Sequence, residues 1–268
     1  MQQETIQTRE GGRRTRGDGR AQPPMVSVIT AVFNGDRYVA GCLESVLQQD
    51  YPNIEHIVLD GESTDHTVEI LRQYDEKIEY WASEPDCGVY DAWNKGLREA
   101  RGEWICFLGV DDEFLPGAIS AYMKLAAENP QAEYLSSQVK WVHESGHSRI
   151  IGEPWNWKRF SRFMCTAHVG SMHRRSLFDR LGTYDTSYRR TADYELLLRA
   201  RKGLLAAYLP MPTVMMRAGG VSDSTAALSE AMRAKIQTGG RSAWLATVER
   251  IVANIKFYVR ASTYRFLR

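Results

Sequence analysis

The stretch Met-Val-Ser-Val-Ile-Thr-Ala-Val-Phe-Asn-Gly occupies residues 25–35. Its first eight residues, Met25–Val32, are largely apolar or β-branched, which is typical of a parallel strand buried on both faces. Apolar residues at helical spacing over 36–49 predict a helix directly after this strand. The stretch therefore predicts the first strand–helix unit of an α/β fold.

The same alternation continues as far as residue 108. Further strands are predicted at 54–60, 78–82 and 104–108, and helices at 64–74 and 89–100. Strands and helices that alternate in this way predict a Rossmann-like parallel sheet with helices on both faces. Such sheets bind ligands at the carboxyl ends of their strands, so the residues after each strand form the candidate site.

The rest of the chain divides into an N-terminal arm, a less regular second half and a C-terminal segment. Residues 1–24 are rich in Arg, Gly, Gln and Thr and are predicted to be a disordered basic arm. The second half has predicted helices at 116–128 and 192–202 and predicted strands at 206–209 and 213–216. After Gly219-Gly220 the pattern is mostly helical, so we treat 25–222 as the main domain and 223–268 as a helical extension.

Composition narrows the function classes. The net charge of +1 gives no reason to expect nucleic acid as a partner. The four cysteines form no Cys-x-x-Cys pair, which argues against a zinc site, and they are Cys42, Cys87, Cys106 and Cys165. No apolar run approaches the roughly 18–20 residues of a membrane span, and the polar N-terminus resembles no signal peptide. A cytoplasmic location is expected.

Acidic residues follow the predicted strands. Asp111-Asp112 comes after strand 104–108, where a hard divalent cation would neutralise the pair, although an exposed turn is an equal alternative. Asp60 ends strand 54–60, and its carboxylate could accept hydrogen bonds from a base or a ribose. Asp91 and Asn94 share a face of helix 89–100, and Asp193 begins helix 192–202. The alternative for Asp91 is the favourable placement of an acid near a helix N-terminus, and for Asp193 it is a helix cap.

Five stretches, in this order, closely resemble glycosyltransferase family 2, whose catalytic domain has the GT-A nucleotide-binding fold. They are Val-Ser-Val-Ile-Thr-Ala-Val-Phe-Asn-Gly (26–35), Leu-Asp-Gly-Glu-Ser-Thr-Asp-His-Thr (59–67), Ser-Glu-Pro-Asp-Cys-Gly-Val-Tyr-Asp-Ala-Trp-Asn-Lys-Gly (83–96), Gly-Glu-Trp-Ile-Cys-Phe-Leu-Gly-Val-Asp-Asp (102–112) and Thr-Ala-Asp-Tyr-Glu-Leu-Leu-Leu-Arg (191–199). The resemblance implies that 25–115 binds a nucleotide sugar and that 116–222 binds the acceptor.

The resemblance also implies roles for particular residues. Phe33, Asp60, Asp91 and Asn94 match positions that contact the nucleotide, usually uridine. Asp111 and Asp112 match the DxD-type signature; Asp112 is then the main ligand of Mn²⁺ or Mg²⁺, and Asp111 addresses the metal, a metal-bound water or the ribose.

Three further positions have matches in the family. Asp193 matches the catalytic base, although Ala192 precedes it where a Glu is common. His168 and Ser222 match a subgroup of the family, where the roles are less defined. His168 could bind a metal or phosphate, or could be a packed core histidine.

The implied reaction is an inverting, metal-dependent transfer of a sugar from a nucleotide sugar, with UDP expected as the nucleotide. The acceptor would be a saccharide or a lipid-linked hydroxyl in bacterial polysaccharide or glycolipid synthesis. Two alternatives are a nucleotidyltransferase and a catalytically silent nucleotide-sugar-binding protein. The first usually needs a basic, Gly-rich loop after the first strand, which Phe33-Asn34-Gly35-Asp36 does not supply.

The C-terminal segment predicts an amphipathic helix. Apolar residues recur at alternating spacings of four and three, and they are Trp244, Val248, Ile251, Ile255 and Tyr258. Basic residues lie off this stripe: Arg250, Lys256, Arg260 and Arg265. The helix would either lie on the inner face of an anionic membrane or pack its apolar side on the domain or on a second subunit.

Overall fold

The computed structural model describes residues 9–18, 25–220 and 224–266, with side chains as far as Tyr258. Within these ranges the strands are β1 (Arg9–Gly11), β2 (Val26–Val32), β3 (Ile54–Asp60), β4 (Tyr80–Ser83), β5 (Trp104–Gly109), β6 (Glu113–Phe114), β7 (Tyr134–Val142), β8 (Ser148–Ile151), β9 (Met172–Arg174) and β10 (Ala206–Arg217). The α-helices are α1 (Asp36–Leu47), α2 (Thr67–Gln73), α3 (Val89–Glu99), α4 (Ala118–Glu128), α5 (Trp157–Phe160), α6 (Arg175–Leu181), α7 (Ala192–Ala200), α8 (Thr225–Gln237) and α9 (Ala243–Phe266).

One mixed sheet runs through the described part of the chain. Its strand order is β1-β4-β3-β2-β5-β9-β7-β10-β6, and β8 pairs with β7 outside this path. The four strands β4, β3, β2 and β5 are parallel, which confirms the prediction from the first half of the sequence. The antiparallel β9 joins them to the parallel pair β7–β10. Strands from residues 25–115 and from residues 116–217 therefore belong to one sheet.

Helices cover both faces of this sheet. Alternate residues of β2 point to opposite sides: Ile29 packs with α3 and α7, whereas Val28 packs with α1 and α4. Gly96 shows how closely α3 lies on the sheet, because a Cβ there would be 2.4 Å from Cγ2 of Ile29. The burial of apolar side chains on both faces explains why these strands are almost continuously hydrophobic.

Several elements differ from the predicted boundaries by one to three residues, and two of the differences have a clear local cause. The stretches 206–209 and 213–216 belong to the single strand β10, whose pairing with β7 shifts register around Pro212. Proline has no N–H for the ladder, so the two segments are joined by bulges. Helix α2 begins at Thr67 rather than Thr64, because the Asp65 carboxylate accepts hydrogen bonds from the amide and hydroxyl of Thr67 and holds a turn there.

The N-terminal arm corrects the prediction of disorder for the part that the structure describes. Residues 9–11 form β1, which pairs antiparallel with β4 at the sheet edge. Arg14 then reaches the buried Glu55, with 2.8 Å between the guanidinium and the carboxylate. Backbone pairing and a buried ion pair thus hold residues 9–18 on the domain, despite their polar composition. Residues 1–8 and 19–24 lie outside the described residues.

The C-terminal segment is helical, as predicted. Helix α8 packs on α7, and α9 packs on α8. The predicted stripe of α9 is solvent-exposed, so the alternative in which it packs on this domain is wrong. In the described part of the chain, no helix combines the length and the apolar character needed to cross a membrane.

Candidate active site

The acidic pair Asp111-Asp112 follows β5 at the carboxyl end of the parallel strands. Gly109 lies directly beneath it: a Cβ at this position would be 2.8 Å from Oδ2 of Asp112 and 3.0 Å from Oδ1 of Asp111. Both carboxylates therefore converge above the same backbone atom, and only glycine leaves room for them. Asp112 is buried and Asp111 is half-buried, so the pair does not form a freely exposed turn, and metal binding by the pair stays a prediction.

Asp112 is the more buried member of the pair, with 7% of its surface exposed. Burial, and then the neighbouring charge of Asp111, raise the pKa of Asp112 well above its usual value. Its Oδ1 accepts a hydrogen bond from the backbone N–H of Arg217 at 3.0 Å, while the guanidinium of that residue binds Glu113. A buried carboxylate beside a like charge is an arrangement that a divalent cation would stabilise.

A cation at this acidic pair would need further ligands that the described side chains do not supply. Among the described residues, no three His, Cys, Asp or Glu side chains are grouped closely enough to hold a metal. The acidic pair can supply one or two carboxylates, and Mg²⁺ commonly takes its other ligands from substrate phosphates and water. The donor set therefore fits a metal that binds together with a phosphorylated ligand.

Asp60 lies at the end of β3 and is almost fully buried. Its carboxylate accepts hydrogen bonds from the amide and hydroxyl of Ser63, at 2.9 and 2.5 Å, and from the hydroxyl of Ser83 at 2.6 Å. The Ser63 hydroxyl in turn accepts a bond from the backbone N–H of Asn34 at 2.7 Å. Asp60 thus ties together the ends of β2, β3 and β4, and Phe33, whose side chain is exposed, directly follows Val32, the register partner of Asp60.

The two candidates on α3 both have partners within the chain. Asp91 accepts a hydrogen bond from the backbone N–H of Cys87 at 3.0 Å, so it fastens the loop before α3 to the first turn of the helix. The Asn94 amide exchanges two hydrogen bonds with the backbone of Tyr184, at 2.9 and 3.0 Å. Asn94 therefore fastens the segment before α7 to α3. Contact of Asp91 and Asn94 with a nucleotide stays a prediction.

Asp193 lies in the first turn of α7. The Tyr90 hydroxyl, from α3, donates a hydrogen bond to its Oδ1 at 2.9 Å. Burial raises the pKa of Asp193, and the bond from Tyr90 opposes that rise. The carboxylate is thus positioned and more basic than an ordinary aspartate, as a general base requires.

An aromatic cluster lies beneath these groups. Tyr90, Trp93 and Tyr184 are in mutual contact, with ring centroids 5.3–5.6 Å apart. His168 stacks on Phe107 of β5 at 5.7 Å, and its Nε2 is 3.5 Å from the Tyr184 hydroxyl. Burial lowers the pKa of His168 to about 3, so its ring is neutral. These contacts are those of a packed core histidine, although its buried Nδ1 has no hydrogen-bond partner among the described residues.

Sequence reasoning missed three contributors to the site. Tyr90 and Tyr184 hold Asp193 and Asn94, and the backbone of Arg217 binds Asp112. Tyr90 lies inside the quoted stretch 83–96, so its position was visible but its partner was not. The other candidate, Ser222, lies outside the described residues.

Comparison with known proteins identifies relatives of this chain. The family model for Glycosyl transferase family 2 matches residues 27–181, more than half of the chain. An uncharacterized glycosyltransferase of Mycobacterium tuberculosis is 35% identical over 182 residues, which cover 66% of this chain and 69% of that protein. A PGL/p-HBAD biosynthesis glycosyltransferase of the same species is 28% identical over 187 residues, with the same shares covered.

Solved structures share the fold. Staphylococcus aureus TarS 1-349 in complex with UDP-GlcNAc superposes with a TM-score of 0.64 at 18% identity, covering 82% of this chain and 69% of TarS 1-349. The mannosyltransferase PcManGT from Pyrobaculum calidifontis, in complex with GDP-Man and Mn²⁺, gives a TM-score of 0.60 at 18% identity. That match covers 92% of this chain and 81% of the other. The predicted GT-A fold is thereby confirmed.

Proposed function

Because this chain belongs to glycosyltransferase family 2 and is therefore a transferase, we propose that it moves a sugar from a nucleotide sugar to a hydroxyl acceptor with inversion at the anomeric carbon. The observation that carries the proposal is the hydrogen bond from Tyr90 to Asp193. It joins the predicted catalytic base, in the acceptor half (residues 116–222), to helix α3 of the donor half (residues 25–115). A base held in this way can face a donor bound at the strand ends.

The donor is proposed to be a UDP-sugar. The exposed ring of Phe33 and the buried carboxylate of Asp60 lie together at the ends of β2 and β3, where a base and ribose would bind. Asp91 and Asn94 complete the nucleotide side on α3. In support, a structural neighbour of this chain, TarS, binds UDP-GlcNAc, whereas another, PcManGT, binds GDP-Man.

The acidic pair is proposed to hold Mn²⁺ or Mg²⁺, with Asp112 as main ligand and Asp111 as second ligand or ribose contact. The neighbour PcManGT has Mn²⁺ in its complex. When bound, such a cation stabilises the negative charge that develops on the departing diphosphate. The protein's own contribution is to hold the buried carboxylate of Asp112 beside the half-buried carboxylate of Asp111, so that their charge favours a cation.

Asp193 is proposed to act as the general base. It takes the proton from the acceptor hydroxyl, whose oxygen bonds to the anomeric carbon while the bond from that carbon to the diphosphate oxygen breaks. The electron pair of the broken bond leaves with the diphosphate. A raised pKa makes Asp193 a better proton acceptor, and Tyr90 keeps one carboxylate oxygen in place so that the other can face the acceptor.

The acceptor is proposed to be a saccharide or a lipid-linked hydroxyl of a bacterial glycan or glycolipid, and the cytoplasm to be the site of reaction. One relative carries the name PGL/p-HBAD biosynthesis glycosyltransferase. Family membership leaves no support for the nucleotidyltransferase or for the catalytically silent binding protein.

The test is the Asp193→Asn variant, which keeps the shape and the bond from Tyr90 but cannot take a proton. Transfer should fall by roughly a thousandfold or more, with nucleotide binding nearly unchanged. Asp179→Asn, an exposed acid on α6, is the matched control and should retain full activity. Near-wild-type turnover of Asp193→Asn would rule out the base assignment.

A further inference from the structure

The apolar stripe of α9 consists of Trp244, Val248, Ile251, Ile255 and Tyr258, and all five side chains are open to solvent. Their exposed fractions range from 40% for Val248 to 72% for Trp244. Leu245 and Val252 extend the stripe along one edge and are also exposed. A continuous apolar surface of this kind on an otherwise folded chain marks an interaction site.

The opposite side of α9 attaches the helix to the domain. At 100° per residue, Ala246, Glu249 and Ala253 lie roughly 140–180° from Trp244 around the helix. Ala246 is fully buried, and Glu249 binds the amine of Lys235 on α8 at 3.2 Å. Arg241 and Arg162 also pair with Glu249, at 2.5 and 3.5 Å. One acid surrounded by three cations therefore fixes which face of α9 points inward.

This orientation is the reverse of the usual one for a surface helix, which buries its apolar side. The small and charged face of α9 is inside, and the apolar stripe is outside. The ion pairs of Glu249 would be lost if the helix rotated to bury the stripe on α8. The fold thus holds the stripe outward and leaves it for a partner outside the domain.

Charge identifies the partner. Residues 241–268 contain six Lys and Arg against one Glu, a net charge of +5, whereas the first 240 residues carry −4 and the whole chain +1. Helical geometry places Arg250 and Lys256 on the two flanks of the stripe. Two copies joined through this surface would bring two strongly basic segments together. An anionic lipid surface instead offers both apolar depth and opposite charge.

We propose that the apolar stripe of α9 is a docking surface for an anionic lipid bilayer, with the helix lying in the interface plane. Trp244 and Tyr258 lie at the two ends of the described stripe, and such amphipathic rings favour the membrane–water boundary. Arg250 and Lys256 supply charge for the lipid phosphates. The proposal rests on the exposure, anchoring and charge of α9 and not on the transfer chemistry.

The anchor also relates this surface to Asp193. Arg162, which pairs with Glu249, is followed by Phe163, whose side chain is 47% exposed. Phe160 lies two positions before Arg162. Its backbone carbonyl accepts a hydrogen bond from the hydroxyl of Tyr194, the residue next to Asp193. Through these contacts α9 is tied to the acceptor half. A bilayer bound at the stripe would therefore lie nearer to the acceptor half than to the far edge of the donor half, where β1 and β4 pair.

The experiment is co-sedimentation of the full chain with vesicles of phosphatidylcholine alone or mixed with phosphatidylglycerol. The wild type should bind the mixed vesicles, bind pure phosphatidylcholine weakly, and lose affinity as salt increases. Ile251→Glu/Ile255→Glu should weaken binding by roughly a hundredfold, because it removes apolar contact and adds repelling charge. The matched control is Ile150→Glu/Leu205→Glu, which makes the same change at equally exposed positions elsewhere and should bind like the wild type.

Any of three outcomes would overturn the proposal. The first is that the wild type does not bind mixed vesicles, and the second is that the α9 variant binds them as well as its control does. The third is a vesicle-free dimer, seen by light scattering, that the α9 variant dissociates, since the occupant would then be a second copy. Transfer to a soluble acceptor should be equal in the two variants, so failure of this proposal is distinguishable from failure of the proposed function.

Discussion

Single side chains at the strand ends have two tasks in this protein. Asp60 is both a proposed nucleotide ligand and the acceptor of three hydrogen bonds that join strand ends. Asn94 is both a proposed residue of the nucleotide pocket and the partner of two hydrogen bonds with the backbone of Tyr184. Variants at such positions would mix a loss of structure with a loss of binding. Tyr90 separates the two effects better, because only its hydroxyl reaches Asp193.

Tyr90→Phe removes that hydroxyl and keeps the ring. The bond from Tyr90 favours the ionised form of Asp193, so its loss should raise the pKa of Asp193 further. The base works as a carboxylate, and therefore the acid limb of the kcat profile should move to higher pH by roughly one unit. The measurement is kcat against pH for the wild type and the variant.

Tyr184→Phe is the control, since Tyr184 packs on Tyr90 and its hydroxyl lies near His168. Its acid limb should coincide with that of the wild type. An acid limb of Tyr90→Phe that stays in place, or moves to lower pH, would mean that Tyr90 does not act through Asp193.

At the scale of elements, the first strand shows how an arm of polar composition becomes part of the domain. β1 adds to the sheet edge at β4, and Arg14 supplies the charge partner for Glu55. The other carboxylate oxygen of Glu55 accepts bonds from Ser27 and from the amides of Arg101 and Gly102. Glu55 therefore joins β2, β3 and the turn before β5 at the amino end of the strands.

Arg14→Met should destabilise the fold by about 3 kcal/mol, because it leaves the Glu55 carboxylate buried without its cation. The measurement is the free energy of unfolding in urea. The double variant Arg14→Met/Glu55→Gln should lose less free energy of unfolding than Arg14→Met alone, since no unpaired buried charge remains.

The comparison for this prediction is Arg16→Met, which breaks the more exposed pair with Asp75 and should cost less than about 1 kcal/mol. Equal losses for Arg14→Met and Arg16→Met would show that the arm contributes only surface contacts.

At the scale of the whole molecule, two halves share one sheet and meet above β5. The antiparallel β9 connects the donor strands to β7 and β10, and the amide of Arg217, at the end of β10, binds Asp112. The proposed metal ligand of the donor half is therefore held by the acceptor half. Donor binding should stabilise the entire fold and not one half of it.

The corresponding measurement is thermal unfolding with UDP-, GDP- and dTDP-sugars, with and without Mn²⁺ or Mg²⁺. A cognate donor at about 100 times its Kd should add roughly 2.7 kcal/mol of stability, and only when the cation is present. A single unfolding transition that shifts as one unit is expected. Stabilisation by no nucleotide sugar, or equal stabilisation without the cation, would contradict the proposed site.

Asp112→Asn is the control variant for this screen, and it should abolish the donor effect. Without donor, this variant should have a free energy of unfolding near neutral pH that is roughly 1 kcal/mol or more above that of the wild type, and so unfold at a higher temperature, because the raised pKa of Asp112 means that its charge is disfavoured in the folded state. That difference should shrink as the pH falls towards the ordinary aspartate pKa, where the carboxyl is protonated in both folded and unfolded chains.

The parallel half of the sheet and the family could be predicted from the amino-acid sequence alone. Continuous apolar runs and helical spacing are local properties, so β2, β3 and β5 were predicted within two residues of their observed limits, and the acids at their ends were visible as candidates. The order of the five quoted stretches along the chain was then sufficient to show the resemblance to glycosyltransferase family 2.

The contacts between distant side chains became visible only in the three-dimensional fold. The partners Tyr90 and Asp193 are 103 residues apart, and Asp112 and Arg217 are 105 apart, so no local pattern links them. Likewise, the periodicity of α9 defines an apolar stripe but not the side on which it lies. The ion pairs of Glu249 with Lys235, Arg241 and Arg162 decide that the stripe faces outward, because burying it would separate those charges.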